Sequence, residues 1–155
     1  MRYLIVVTIL LASAGTGAQT KVDSWIGAWT LNLQKSTYGA SPAPKSGVSR
    51  LVPADGGRTR VSQDQVTEQG MERHIEVTAA FDGKDYEVPG LPGVTYAFTR
   101  VNDSIYVLVA KEKGVVTSTT LTVVSPDRNT RTSTTTAVDP QGKTVANIAV
   151  YDRQR

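Results

Sequence analysis

From Trp25 to Arg153 the chain is written as short runs rich in β-branched and aromatic residues, each closed by a turn signal, and no helical period develops between them. The first run sets the pattern: Trp29, Leu31 and Leu33 alternate with Thr30 and Asn32. A period of two puts apolar residues on one face and polar residues on the other, as a half-buried strand requires. Nine further runs follow at 48–52, 58–66, 72–81, 84–88, 94–101, 104–111, 115–124, 130–138 and 143–153. Asp82-Gly83 is the strongest hairpin signal among the breaks, because a two-residue mirror-type turn needs positive φ. Pro89-Gly90-Leu91-Pro92-Gly93 must interrupt pairing, and the Pro-rich stretch 34–47 reads as a surface loop. Short connections favour antiparallel, up-and-down order. A sheet of about ten strands curls, and closing it removes its edges, so the expected fold is all-β: an antiparallel β-barrel, with an open sandwich second.

Ahead of the barrel, Met1-Arg2-Tyr3 is followed by an apolar run over 4–11 and a small-residue segment through Ala18. This is the layout of a secretory signal peptide over 1–18, cleaved after Ala14 or Ala18, with one barrel domain over 19–155. The run is far shorter than the ~20 residues of a membrane-spanning helix. The expected location is secreted or periplasmic. Cysteine is absent, so neither a disulfide, a lipidated cysteine nor a thiolate metal site can form. The net charge of +3 is spread among carboxylates with no basic run, which argues against a nucleic-acid partner. No phosphate-cradling glycine loop points to a nucleotide, and no cofactor is expected.

Gly27-Ala28-Trp29 on the first strand resembles the Gly-x-Trp signature of the lipocalin and fatty-acid-binding protein (calycin) superfamily, and Val150-Tyr151-Asp152-Arg153 resembles those proteins' last strand. The resemblance implies that Gly27, Trp29 and Arg153 close one end of the barrel, with Arg153 stacked on Trp29. Length and strand number suit the fatty-acid-binding branch, but the loop after the first strand is too short for that branch's two-helix lid. At the positions of its carboxylate-holding Arg-x-Tyr stand Ala149, Val150 and Tyr151. The chain is also similar to a loose group of uncharacterised secreted bacterial proteins with a Trp-x-Leu-Asn start and a segment like that from Phe81 to Tyr86, a likeness that brings no function with it.

Tyr86, Tyr96, Phe98, Tyr106 and Tyr151 are the candidates for a ligand wall, and ordinary core is the plainer reading of all five. Arg100 shares a face with Tyr96 and Phe98 and is a candidate replacement for the missing carboxylate anchor. The threonine tracts 117–122 and 130–136 suit pleated strands, and one face of each would line a lumen with hydroxyls, which favours an amphipathic ligand over a bare acyl chain. His74, the only histidine, lies between Glu72 and Glu76 on one strand face; solvent exposure is the plainer reading than metal binding. With one histidine and no Gly-x-Ser-x-Gly elbow, no catalytic residue is named. Two functions remain: a secreted barrel binding a small apolar or amphipathic molecule, or an exported interaction protein whose barrel is filled by its own side chains.

Overall fold

The computed structural model describes residues 22–39, 42–138 and 141–155, so the leader and cleavage sites expected over 1–18 lie outside the described residues. One antiparallel sheet holds β1 (Gly27–Leu31), β2 (Thr37–Tyr38), β3 (Ser46–Ala54), β4 (Arg58–Val66), β5 (Glu72–Ala79), β6 (Asp82–Glu87), β7 (Val94–Arg100), β8 (Ile105–Glu112), β9 (Val115–Val124), β10 (Thr130–Val138) and β11 (Thr144–Arg153). Ten of these follow the path β5-β4-β3-β1-β11-β10-β9-β8-β7-β6, and the two-residue β2 pairs with β11 beside it. The path wraps into a nearly closed barrel whose two edges are β5 and β6. Among the described residues there is no α-helix, and none long and apolar enough to cross a membrane.

Three local expectations are corrected. The first strand ends at Leu31, not Leu33. Asn32 takes the chain out of the ladder, since its side-chain oxygen accepts the Lys35 N–H at 3.1 Å and its amide donates to Asp152 at 2.6 Å, leaving Leu33 exposed. The segment beyond is not all loop: Thr37 and Tyr38 pair with Ile148 and Asn147. Asp82-Gly83, in turn, makes no hairpin. Gly83 has φ of +80°, and the Asp82 carboxylate accepts the Lys84 N–H at 3.1 Å, but the register slips between Asp82 and Asp85 along β7. A bulge can use the positive φ of a glycine that a mirror turn also uses, without asking it of the residue before. Here the residues turn the chain onto β7, and β5 and β6 stay apart.

Alternation along the strands decides what lies inside. Trp29, Leu31, Leu51, Val77, Ala79, Phe98, Tyr106, Val124 and Tyr151 form one buried cluster with Trp25. Trp25 precedes the first strand, stacks on Phe81 at 5.6 Å between ring centroids, and meets Tyr106 edge-on at 5.3 Å; Phe81 stacks in turn on Phe98 at 4.9 Å. Such pairs contribute about 0.5–1.5 kcal/mol each beyond their burial. They fill one end of the barrel.

Candidate ligand-binding site

The closed end is built on Trp29. Its indole N–H donates to the Trp25 carbonyl at 2.9 Å, and the Arg153 guanidinium lies 4.1 Å from its ring. Arg153 is placed opposite Trp29 by the β1–β11 register and donates from Nη1 to the Ile26 carbonyl at 2.9 Å. Burial and the neighbouring Arg128 and Arg131 charges lower its pKa. Gly27 makes the approach possible: its φ is +137°, and a Cβ there would lie 2.6 Å from Arg153 Nη1. Gly57 also has positive φ, +70°, but nothing within 4 Å. Gly27→Ala should therefore cost about 3 kcal/mol, from backbone strain plus displacement of the guanidinium. Gly57→Ala should cost about 1 kcal/mol, from handedness alone. Equal urea midpoints for the two variants would contradict the packing role of Gly27.

Above this end the barrel encloses a partly open cavity of about 310 Å³. Its walls differ. Val61, Ile75, Val77, Tyr96, Phe98 and Leu108 present an apolar side, while Thr120, Thr122, Ser133, Thr135, Ser49, Gln63 and Gln65 present a polar one. The hydroxyls are paired across the β9–β10 ladder: Thr120 with Thr135 at 2.8 Å and Thr122 with Ser133 at 3.0 Å. The Gln63 amide donates to the Tyr151 hydroxyl at 3.1 Å. Burial raises the Tyr96 pKa, so that phenol stays protonated.

One lining residue does not fit a self-satisfied interior. Arg131 is 2 % exposed, and its Nε and Nη1 have no hydrogen-bond partner among the described residues. The guanidinium carbon sits 4.5 Å from the Tyr151 ring and 5.3 Å from that of Trp29. Stacking against rings stabilises a desolvated cation by about 2 kcal/mol. It does not replace hydrogen bonds, and a buried donor left unpaired costs about 1–3 kcal/mol. Sequence reasoning missed Arg131 because it sits in a threonine tract whose two faces are alike. Only the β10–β11 register, which sets it opposite Tyr151, shows that Arg131, Ser133 and Thr135 face inward.

Of the residues singled out in the sequence, the fold gathers Tyr96, Phe98, Tyr106 and Tyr151 on the cavity wall. Tyr86 is half-buried against the core cluster, with its hydroxyl donating to Asp82 at 3.1 Å, and is not on that wall. Arg100 is not in the lumen at all. It holds Asp23 with Nε at 3.1 Å and Nη2 at 2.8 Å, and lies 5.8 Å over Trp25, which does not line the cavity. Strand alternation does place it on the face of Tyr96 and Phe98, but the aromatic stack fills the barrel at its level. His74 is exposed, and its Nδ1 is 2.6 Å from Asp64, the residue opposite it on β4. That contact, with a smaller contribution from Arg50, holds the Asp64 carboxyl below its usual pKa.

No protein-family model matches the sequence, and no curated protein matches it in sequence. Solved structures do match the fold. The fluorescent protein UnaG superposes with a TM-score of 0.61 at 17% identity, over 84% of this chain and 98% of that one. A zebrafish ileal bile acid-binding protein, crystallised with cholic acid, superposes with a TM-score of 0.53 at 12% identity, over 84% of this chain and 99% of that one. The chain folds as a nearly closed, ten-stranded antiparallel barrel, a fold like that of these two structures.

Proposed function

We propose that the protein binds a small amphipathic anion in its lumen, with a carboxylate or similar group on Arg131 and an apolar body against Val61, Ile75, Val77 and Leu108. The observation that carries the reading is the buried, stacked Arg131 with two donors unpaired. A charge removed from water is costly unless it is paired, and a guanidinium fork matches a carboxylate through two parallel N–H···O bonds. The cavity volume lies at the small end of the about 300–1,000 Å³ typical of small-molecule sites, so a compact ligand fits better than a long chain. The structural neighbour that holds cholic acid lends support, since that ligand is a compact acid. A barrel filled wholly by its own side chains is disfavoured by the cavity. Export to the periplasm or the medium is part of the same proposal and rests on the apolar run 4–11 with its small-residue end.

The test compares matched ligands. Titrations of the protein with decanoate and decanol, and with naphthoate and naphthalenemethanol, should be followed by tryptophan fluorescence, because Trp29 lies against Arg131. Each acid is expected to bind at least about tenfold tighter than its neutral partner, a difference of about 1.4 kcal/mol. Acids that bind no tighter than the alcohols would falsify the anchor.

A further inference from the structure

The strand path sets the two kinds of lumen wall against each other. In a ring of ten strands those five places apart face across the barrel, and the observed order puts β10 opposite β5 and β9 opposite β4. Ile75 and Val77 of β5 therefore look across the cavity at Arg131, Ser133 and Thr135 of β10. These three stand at every second position of one strand, about 6.7 Å apart, on a line from the closed end toward the mouth. Beside Ser133 and Thr135, the β9–β10 register sets Thr122 and Thr120. Their hydroxyls form two rungs, Thr122–Ser133 at 3.0 Å and Thr120–Thr135 at 2.8 Å. Thr122 is buried, whereas Ser133, Thr120 and Thr135 are half-buried and line the cavity.

A hydroxyl carries one hydrogen and two lone pairs. Each rung joins two hydroxyls by one hydrogen bond, and neither member makes another side-chain bond among the described residues, so each rung keeps one O–H donor unused. The Tyr151 hydroxyl accepts from Gln63 and donates to no described group, and the Tyr96 hydroxyl, on the apolar side, has no described partner. Pairing between neighbouring strands accounts for the rungs. It does not account for donors left over on a wall that faces open space, where valine would have the same shape and no donor. From this we infer that the ligand is a hydroxylated acid: a compact carboxylate with at least one hydroxyl along one edge, which lies on the Thr120–Thr135 rung while the other edge packs on Ile75 and Val77. The inference rests on the Arg131 anchor for the orientation of the ligand. The ligand hydroxyl takes the leftover O–H of the rung and donates to a threonine lone pair, whereas a plain acyl chain would cover that donor and leave it unpaired.

Calorimetric titration of the full chain tests the inference with decanoate against decanoates hydroxylated at mid-chain and at the far end, and with naphthoate against a naphthoate hydroxylated on the ring carbon farthest from the carboxylate. In each series the tightest hydroxylated acid is expected to bind about three- to tenfold tighter than its plain parent. Thr120→Val combined with Thr135→Val removes both partners of the rung and keeps their shape, so the fold is retained. That pair should bring the preference below about twofold and tighten the binding of the plain acids. Thr120→Ser combined with Thr135→Ser keeps both hydroxyls and should keep the preference. Hydroxylated acids that bind no tighter than their parents overturn the inference, and so does a preference that survives in the valine pair. The Arg131 anchor is scored apart, by decanoate against decanol, and that difference should persist in the valine pair. A rung-dependent hydroxyl preference found without it would uphold the rung and remove the acid from the ligand.

Discussion

Arg131→Met is expected to raise the melting temperature while costing about 100-fold in affinity for a carboxylate ligand, or about 2.7 kcal/mol. The two effects have opposite signs for one reason. In the free protein the guanidinium is 2 % exposed, with Nε and Nη1 unpaired. Replacing a buried charge by an apolar side chain of similar volume is neutral or stabilising by about 1–4 kcal/mol. The stacking on Tyr151 and Trp29 returns part of the desolvation cost, which limits the expected gain to about 1–3 kcal/mol. When a carboxylate is bound, the same group makes charge-assisted bonds whose removal typically costs about 2–5 kcal/mol. Calorimetry and the fluorescence titration read the two effects independently. Unchanged affinity in the methionine variant removes Arg131 from the site. A melting temperature that falls by several degrees shows instead that ring stacking outweighs the unpaired donors.

Trp29→Ala should be among the most damaging single substitutions in the barrel, with a loss of about 3–5 kcal/mol. The ring is fully buried, ties β1 to the preceding segment through the Trp25 carbonyl, and is the surface on which both Arg131 and Arg153 lie. Removing it leaves a cavity and strands two guanidinium groups without a π-face. For a barrel of this size each 1 kcal/mol shifts the melting temperature by about 3–5 °C, so a fall of about 10–25 °C is expected. Trp29→Phe keeps a ring for both cations and loses the indole hydrogen bond, and should cost about 1–2 kcal/mol. Denaturant unfolding of the pair checks the account. Equal losses for Ala and Phe would mean that the hydrogen bond to Trp25, not the ring, carries the contribution.

How much of this was legible beforehand depended on which forces are local. Strand periodicity, turn residues and short connections act within a few residues, so the all-β barrel and its ten main strands followed from the amino-acid order. So did the hydroxyl-lined wall, because threonine at every second position of a strand must put some hydroxyls inside. Asp82-Gly83 was misleading because a bulge and a mirror turn both draw on the positive φ of the glycine, while the turn asks it of Asp82 as well, which does not adopt it. The anchor was decided at a longer range still. Arg100 and Arg131 both lie on inward-parity positions of strands, and nothing within either strand tells them apart. Arg100 stands at the level filled by Trp25 and Phe81 and reaches out to Asp23, whereas Arg131 stands one level into the lumen, where Trp29 and Tyr151 hold it and no carboxylate pairs with its Nε or Nη1. Depth along a barrel axis is set by the register of all ten strands together, and only the closed structure supplies it.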